Sequence, residues 1–323
     1  MAASKINPES TANPDTGLGA QAGSIGGRFI NRDGSFNIQK TGVPLLKRIS
    51  IYSHMLELSW LHFILVIVLF YILANLLFTT IYILVGLEQL QGYVATTDWG
   101  KIKETFFFST QSFTTVGYGR INPVGEGANI VSSIETMSGW LFFAIVAGLS
   151  YGRFIRPKAH ISFSEKALIA PYKNGVGLMF RMVPYKSLHQ LTDAKVSLNI
   201  SLLLPEEGDD GYKFYQLKVE RSRIEMFNMN WTVVHPLDEE SPLYHFTKQD
   251  LEVSDFELMV QVSGFDSIYS NQVLQRTSYT YNELVWGAKF SSMYHQSADG
   301  KTTVLQLDRL SKYEKAALPQ DYL

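Results

Sequence analysis

The sequence predicts a two-part fold. The first part is α-helical and membrane-embedded, with two spanning helices and a re-entrant helix between them. The second is an all-β, immunoglobulin-like sandwich domain. Three observations predict this. Residues 58–87 contain no Asp, Glu, Lys or Arg, and residues 127–152 contain only Glu135; each stretch exceeds the about 20 residues that cross a bilayer as a helix. A Gly117-Tyr118-Gly119 triplet lies between them, too close to both for another span. From about residue 159, apolar residues recur with period two between turn clusters, the pattern of short strands. A length of 323 residues fits two domains, and a mean hydropathy of 0.00 fits an apolar part joined to a larger polar one.

Composition narrows the function. A net charge of −2 points away from nucleic acid, and the lack of cysteine excludes disulfides and thiolate chemistry. The seven histidines include no close pair at metal-ligand spacing. No Gly-rich phosphate loop and no nucleophile–base pair is recognisable, so an enzyme is not expected. Residues 1–25, rich in Ala, Ser, Gly, Asn and Pro, lack the apolar stretch of a signal peptide and read as a disordered arm.

The first span, 58–87, has Trp60 and Tyr82 near its ends, where interface anchors sit. Before it, Lys47-Arg48-Ile49-Ser50-Ile51-Tyr52-Ser53-His54-Met55-Leu56 reads either as a basic amphipathic helix on the membrane surface, within 44–57, or as the frayed start of the span. Residues 98–112 form the next helix, with Asp98 as a candidate N-cap. Its Phe106-Phe107-Phe108 run is too short to cross a membrane, which favours a re-entrant pore helix whose C-terminal dipole faces a cation.

After that helix, at 114–119, Thr115-Val116-Gly117-Tyr118-Gly119 is similar to the selectivity filter of potassium channels, where backbone carbonyls replace the water of a dehydrated ion. Gly117 and Gly119 accept φ > 0, which lets successive carbonyls point one way. Val116 and Tyr118 would pack outward, and the Thr115 hydroxyl would add an oxygen. K+ would then sit at the carbonyls of Thr115, Val116, Gly117 and Tyr118, with no other cofactor. The whole is a membrane α-helical pore domain.

In the second (inner) span, 127–153, Glu135 fits two readings: a buried carboxylate supporting the filter, or a direct ion contact. Gly139 and Gly148 fit bending or close packing. Arg28, Arg32, Lys40, Lys47 and Arg48 precede the first span, and Arg153, Arg156 and Lys158 follow the second. This bias places both termini in the cytoplasm of a multi-pass cell-membrane protein. The sandwich, 159–310, is then cytoplasmic, which argues against an adhesion receptor, and a tail follows at 311–323. The acidic stretch 206–210 reads as a solvated loop or as a ring attracting cations. A voltage sensor would need a further helix of repeated arginines, and this sequence holds none.

Over roughly residues 28–310 the chain resembles prokaryotic inward-rectifier potassium channels of the KirBac type. Arg28-Phe29-Ile30-Asn31-Arg32-Asp33-Gly34-Ser35-Phe36 resembles the family's N-terminal strand motif, here within 26–43, and Arg156-Pro157-Lys158 its exit from the inner helix. Leu178-Met179-Phe180-Arg181, Trp231-Thr232-Val233-Val234-His235-Pro236 and Glu283-Leu284-Val285-Trp286-Gly287 resemble its sandwich motifs. The resemblance implies a homotetramer, a cytoplasmic pore narrowed at 264–272, a slide helix, and a gate at Tyr151 in line with the pore-lining Phe143 and Ala147. It also implies anionic phospholipid bound by Lys47, Arg48, Arg153, Arg156 and Lys158, although membrane anchoring accounts for the same charges. Polyamine or Mg2+ block is implied for the family, yet Phe143 stands where relatives often carry the acidic residue that binds these cations. Gln111 stands where eukaryotic members place a Glu behind the filter, and Arg120 directly follows the filter.

Overall fold

Residues 5–8, 10, 12–13, 16–18, 27–42, 44, 50–206 and 209–319 are described in a computed structural model of the chain, without the side chains of 205, 206, 209 and 210. They form two compact units, 41–156 and 1–40 with 157–323.

Among the described residues, the first unit holds four α-helices, α1 Ile51–Glu57, α2 Trp60–Val85, α3 Asp98–Phe113 and α4 Glu126–Ile155, and an antiparallel ribbon of β1 Leu90–Gln91 and β2 Asn122–Pro123. Ser59 caps α2 by accepting from His62 N, and Gly86 ends it at φ 114°. At 1.5 Å per residue, α2 and α4 run about 39 and 45 Å, enough for a hydrocarbon core of about 30 Å. Most of α2 is exposed and apolar on every side, as a lipid-facing helix requires. Its few buried residues meet α3 and α4 in a small core that includes Phe78, Tyr82, Phe108, Phe113 and Val131.

Two sequence expectations change here, and a third lies partly outside the described residues. The described part of the interfacial helix is only Ile51–Glu57; Lys47 and Arg48 lie outside the described residues. Thr97, not Asp98, caps α3, accepting from Gly100 N, and Asp98 becomes the first helical residue, where a carboxylate favours the dipole. Tyr82 is no interface anchor: it is buried against Phe108.

The second unit is a sandwich of two five-stranded sheets. One holds β6 Leu191–Glu206, β7 Asp209–Leu217, β8 Arg223–Phe227, β10 Glu257–Asp266 and β11 Asn271–Thr280. The other holds β3 Ile161–Phe163, β4 Ala167–Tyr172, β5 Gly175–Pro184, β9 Trp231–Pro236 and β12 Leu284–Trp286. The first runs β11-β10-β6-β7, with β8 also on β6; the second runs β12-β4-β5-β3, with β9 also on β5. The period-two runs do the work. Val196, Leu198 and Ile200 of β6 stand opposite Val262, Val260 and Leu258 of β10, and all six enter the core. Leu178, Phe180 and Met182 of β5 supply the facing layer.

The ends of the chain differ from expectation. The arm read as disordered has described residues docked on the sandwich: Lys5 pairs with Asp250 at 2.7 Å, and Asn13 N donates to Phe214 O at 2.8 Å. Leu18 is buried with Phe29, Ile30, Tyr212, Phe214 and Met259. Polar composition hid this, because an edge strand such as β7 offers backbone partners to any sequence. Ile30 bridges Phe36 in a hairpin, and the buried Glu257 carboxylate accepts from Phe29 N and Ile30 N at 2.7 and 3.1 Å. Burial pushes the Glu257 pKa up, against the pull of those donors. The tail expected from 311 instead continues the domain: Tyr313–Lys315 pairs with Ala288–Phe290, and Leu318 joins the main core. Three-residue strands are too short to give a periodic signal.

Candidate ion-conduction site

The loop 114–119 hangs from the C-terminus of α3. Thr114 N donates to Thr110 O (3.2 Å) and Thr115 N to Ser112 O (3.1 Å). The Gln111 carbonyl accepts from both Val116 N (2.9 Å) and Gly117 N (3.3 Å). Gln111 thus reaches the loop through its backbone. Beyond this, φ is positive at Thr115 (60°), Gly117 (51°) and Gly119 (81°), every second residue. For a β-branched residue such as Thr115 that conformation is a strained one. Val116 and Tyr118 are exposed within the single chain.

Behind the loop lies a buried polar cluster. Glu135 of α4 accepts from Tyr82 Oη of α2 at 2.7 Å and from Ser109 Oγ of α3 at 2.5 Å. Ser109 also lies 3.1 Å from Asn75 Oδ1, and Asn75 donates to Tyr71 O within α2. Glu135, Ser109 and Asn75 are fully buried. Both carboxylate oxygens are therefore engaged between helices, as the supporting role requires. Gly139, one turn on, packs so closely on α3 that a Cβ there would overlap the Phe113 carbonyl, whereas Gly148 meets nothing within 4 Å.

Arg120 does not stand free after the loop. Its Nη1 lies 3.2 Å from Glu104 Oε1, and Glu104 Oε2 accepts from Val94 N. Phe143, Ala147 and Tyr151 are all exposed on α4.

Arg153 is anchored within the chain. Its Nη1 and Nη2 donate to Met55 O and Leu58 O, both at 2.6 Å, at the end of α1. The guanidinium stacks on Trp60 and Phe63, at 4.7 and 4.5 Å from the ring centroids. Both terminal nitrogens are engaged within the chain, because the last carbonyls of a helix need partners and the planar fork can reach two; Nε is buried without a hydrogen-bond partner. Arg156 lies 3.7 Å from Glu57, and Lys158 is exposed.

Sequence reasoning missed Asn75, Ser109 and the Tyr82 hydroxyl. One signal was present: Asn75, Thr79 and Tyr82 fall at i, i+4 and i+7, a polar stripe on an otherwise apolar span.

Two bilayer-length helices joined through a half-length helix and this loop define an ion-channel membrane part. A family model described as "Ion channel" matches residues 65–155, and one described as "Inward rectifier potassium channel C-terminal domain" matches 161–321. The chain is 32% identical over 276 residues to inward rectifier potassium channel Kirbac3.1 of Paramagnetospirillum magnetotacticum, covering 85% of this chain and 92% of that protein. It is 24% identical to ATP-sensitive inward rectifier potassium channel 12 of Gallus gallus, over 81% of this chain and 66% of the relative. With inward rectifier potassium channel irk-1 of Caenorhabditis elegans it shares 23% identity, over 84% and 54%. The chain belongs to the inward rectifier potassium channel family. It is a membrane channel protein and not an enzyme.

Proposed function

We propose that four copies of the chain form a K+-selective pore whose filter is Thr115–Gly119. The carrying observation is the alternation of positive φ at Thr115, Gly117 and Gly119 in a loop tied to the end of α3. Alternating handedness turns successive carbonyls to one side. Four such loops would line an axis with oxygens that replace the hydration of K+. Gln111 and Glu135 support the filter, the first through its carbonyl and the second through Ser109. Phe143, Ala147 and Tyr151 line the pore below, and Tyr151 forms the gate. Both termini are cytoplasmic, and the sandwich and slide helix move the gate. Anionic phospholipid acts on Lys47, Arg48, Arg156 and Lys158. Rb+ uptake into liposomes holding the purified protein tests this reading. K+-selective uptake that rises in Tyr151→Ala is expected. Uptake equally permeable to Na+ would remove the filter assignment, and wild-type uptake in Tyr151→Ala would move the gate elsewhere.

A further inference from the structure

We propose that Glu104 sets the charge at the outer mouth of the pore. It holds the Arg120 guanidinium in a neutral pair, so that arriving K+ does not meet a ring of free arginines. The proposal rests on the filter and orientation assigned above.

Arg120 follows Gly119 directly, so four subunits place four cations where the filter ends. A mouth of one sign repels ions of that sign and lowers their local concentration. Within the chain each Arg120 has an answer. Its Nη1 lies 3.2 Å from Glu104 Oε1, and its side chain is 50% exposed against 19% for Glu104. The carboxylate is itself anchored, because its other oxygen accepts from Val94 N at 3.1 Å. Glu104 is thus the fixed member of the pair, and Arg120 is the member that swings out when the pair is lost.

The backbone at Arg120 is held by other means. In the ribbon of β1 and β2, Gln91 stands opposite Asn122 and Leu90 opposite Pro123. Gly92, at φ 102°, lies so close to the Arg120 carbonyl that a Cβ there would overlap it. Val124 N and Gly125 N both donate to Gln89 O, at 2.9 and 3.3 Å, and Gln89 Oε1 accepts from Ala128 N at the start of α4. Loss of the Glu104 charge therefore frees a side chain and leaves the loop in place. A pair this exposed adds little to stability. What it controls is the field at the pore entrance, summed over four subunits.

Unitary currents of the full-length tetramer in planar bilayers test this in symmetric KCl at about 10 mM and about 1 M, where charges act over roughly 30 and 3 Å. Glu104→Gln loses the charge and keeps an oxygen for Val94 N. Its inward conductance should fall roughly three-fold at the low salt and match wild type at the high salt, with K+ over Na+ selectivity kept. Adding Arg120→Gln to the same chain should restore the low-salt conductance. Arg120→Gln alone leaves four unpaired carboxylates and should raise low-salt inward conductance above wild type. That variant decides the matter if Glu104→Gln does not assemble. A low-salt conductance that Arg120→Gln alone leaves unchanged or lowers would overturn the proposal. So would a loss in Glu104→Gln that persists at the high salt, or one that the added Arg120→Gln does not rescue, since both mark a structural role. A wild type without K+-selective current would instead overturn the functional reading on which the proposal rests.

Discussion

Glu135 and Ser109 meet at 2.5 Å inside the membrane unit, 26 residues apart in the chain, and join the inner helix to the pore helix. Removing either partner alone would strand a buried polar group, which costs more than the bond itself contributes. The pair keeps the Glu135 carboxylate buried, whereas Phe143, Ala147 and Tyr151, further along α4, are exposed.

The consequence for block is direct. Holding a polyamine in a pore is an electrostatic task, and four carboxylates would do it well. With Glu135 engaged by Tyr82 and Ser109, the proposed pore lining offers the exposed Phe143 rings, worth about 0.5–2 kcal/mol each and only when a cation lies over a face. Cytoplasmic spermine should block the native channel weakly and Phe143→Asp strongly and with voltage dependence. Steep native block that disappears in Glu135→Gln would assign the blocking site to Glu135.

Gly117→Ala should abolish K+-selective Rb+ flux while leaving the tetramer intact. Nothing lies within 4 Å of a Cβ built at Gly117, so within the chain the substitution is not crowded. Its cost is conformational: an L-residue at φ 51° loses about 1–2 kcal/mol, repeated in four subunits. Unchanged Rb+ flux in an assembled Gly117→Ala channel would remove Gly117 from the filter.

Arg153 tests whether a boundary cation holds protein or lipid. Arg153→Lys keeps the charge and loses the fork that reaches Met55 O and Leu58 O. Hydrogen bonds from a charged group contribute about 1.5–3 kcal/mol. Amide exchange over 51–57 should therefore accelerate in Arg153→Lys about as much as in Arg153→Gln. The response of flux to anionic phospholipid should weaken in Lys158→Gln instead. An Arg153→Lys channel that keeps wild-type exchange, beside an Arg153→Gln channel that loses its lipid response, would give Arg153 to the lipid.

Acid should loosen the turn after β10. Asp266 is fully buried and accepts from Ile268 N (2.9 Å), Tyr269 N (3.0 Å) and His189 Nδ1 (2.9 Å). Burial alone would raise its pKa, but these donors outweigh it and hold the carboxylate below its ordinary 3.8. A depressed carboxylate stabilises the fold above its ordinary pKa and loses that contribution as pH falls through the depressed value. Asp266→Asn should lower the melting temperature at neutral pH, and the gap to wild type should narrow toward pH 3. A gap constant with pH would exclude the carboxylate charge as the cause.

The sequence by itself determined two apolar helices of bilayer length, a shorter helix and a glycine-bearing loop between them, and the alternating strands of the core. Each is a local signal: an apolar run of bilayer length, a short aromatic helix before a glycine-bearing loop, an alternation such as Val196-Leu198-Ile200. Tertiary structure decided what local signals leave open. Sequence left Glu135 between two readings, and only the fold brings Tyr82 and Ser109, from two other helices, onto its oxygens. Gly139 and Gly148 read alike in sequence and differ only in what faces them. Arg153 matched a row of boundary cations, yet carbonyls almost 100 positions away hold it. The arm read as disordered because the partners of its described residues lie on distant parts of the chain. The physical reason is common to all of these. Hydrophobic runs and periodicity are properties of neighbours along the chain, whereas hydrogen-bond satisfaction and close approach are properties of neighbours in space.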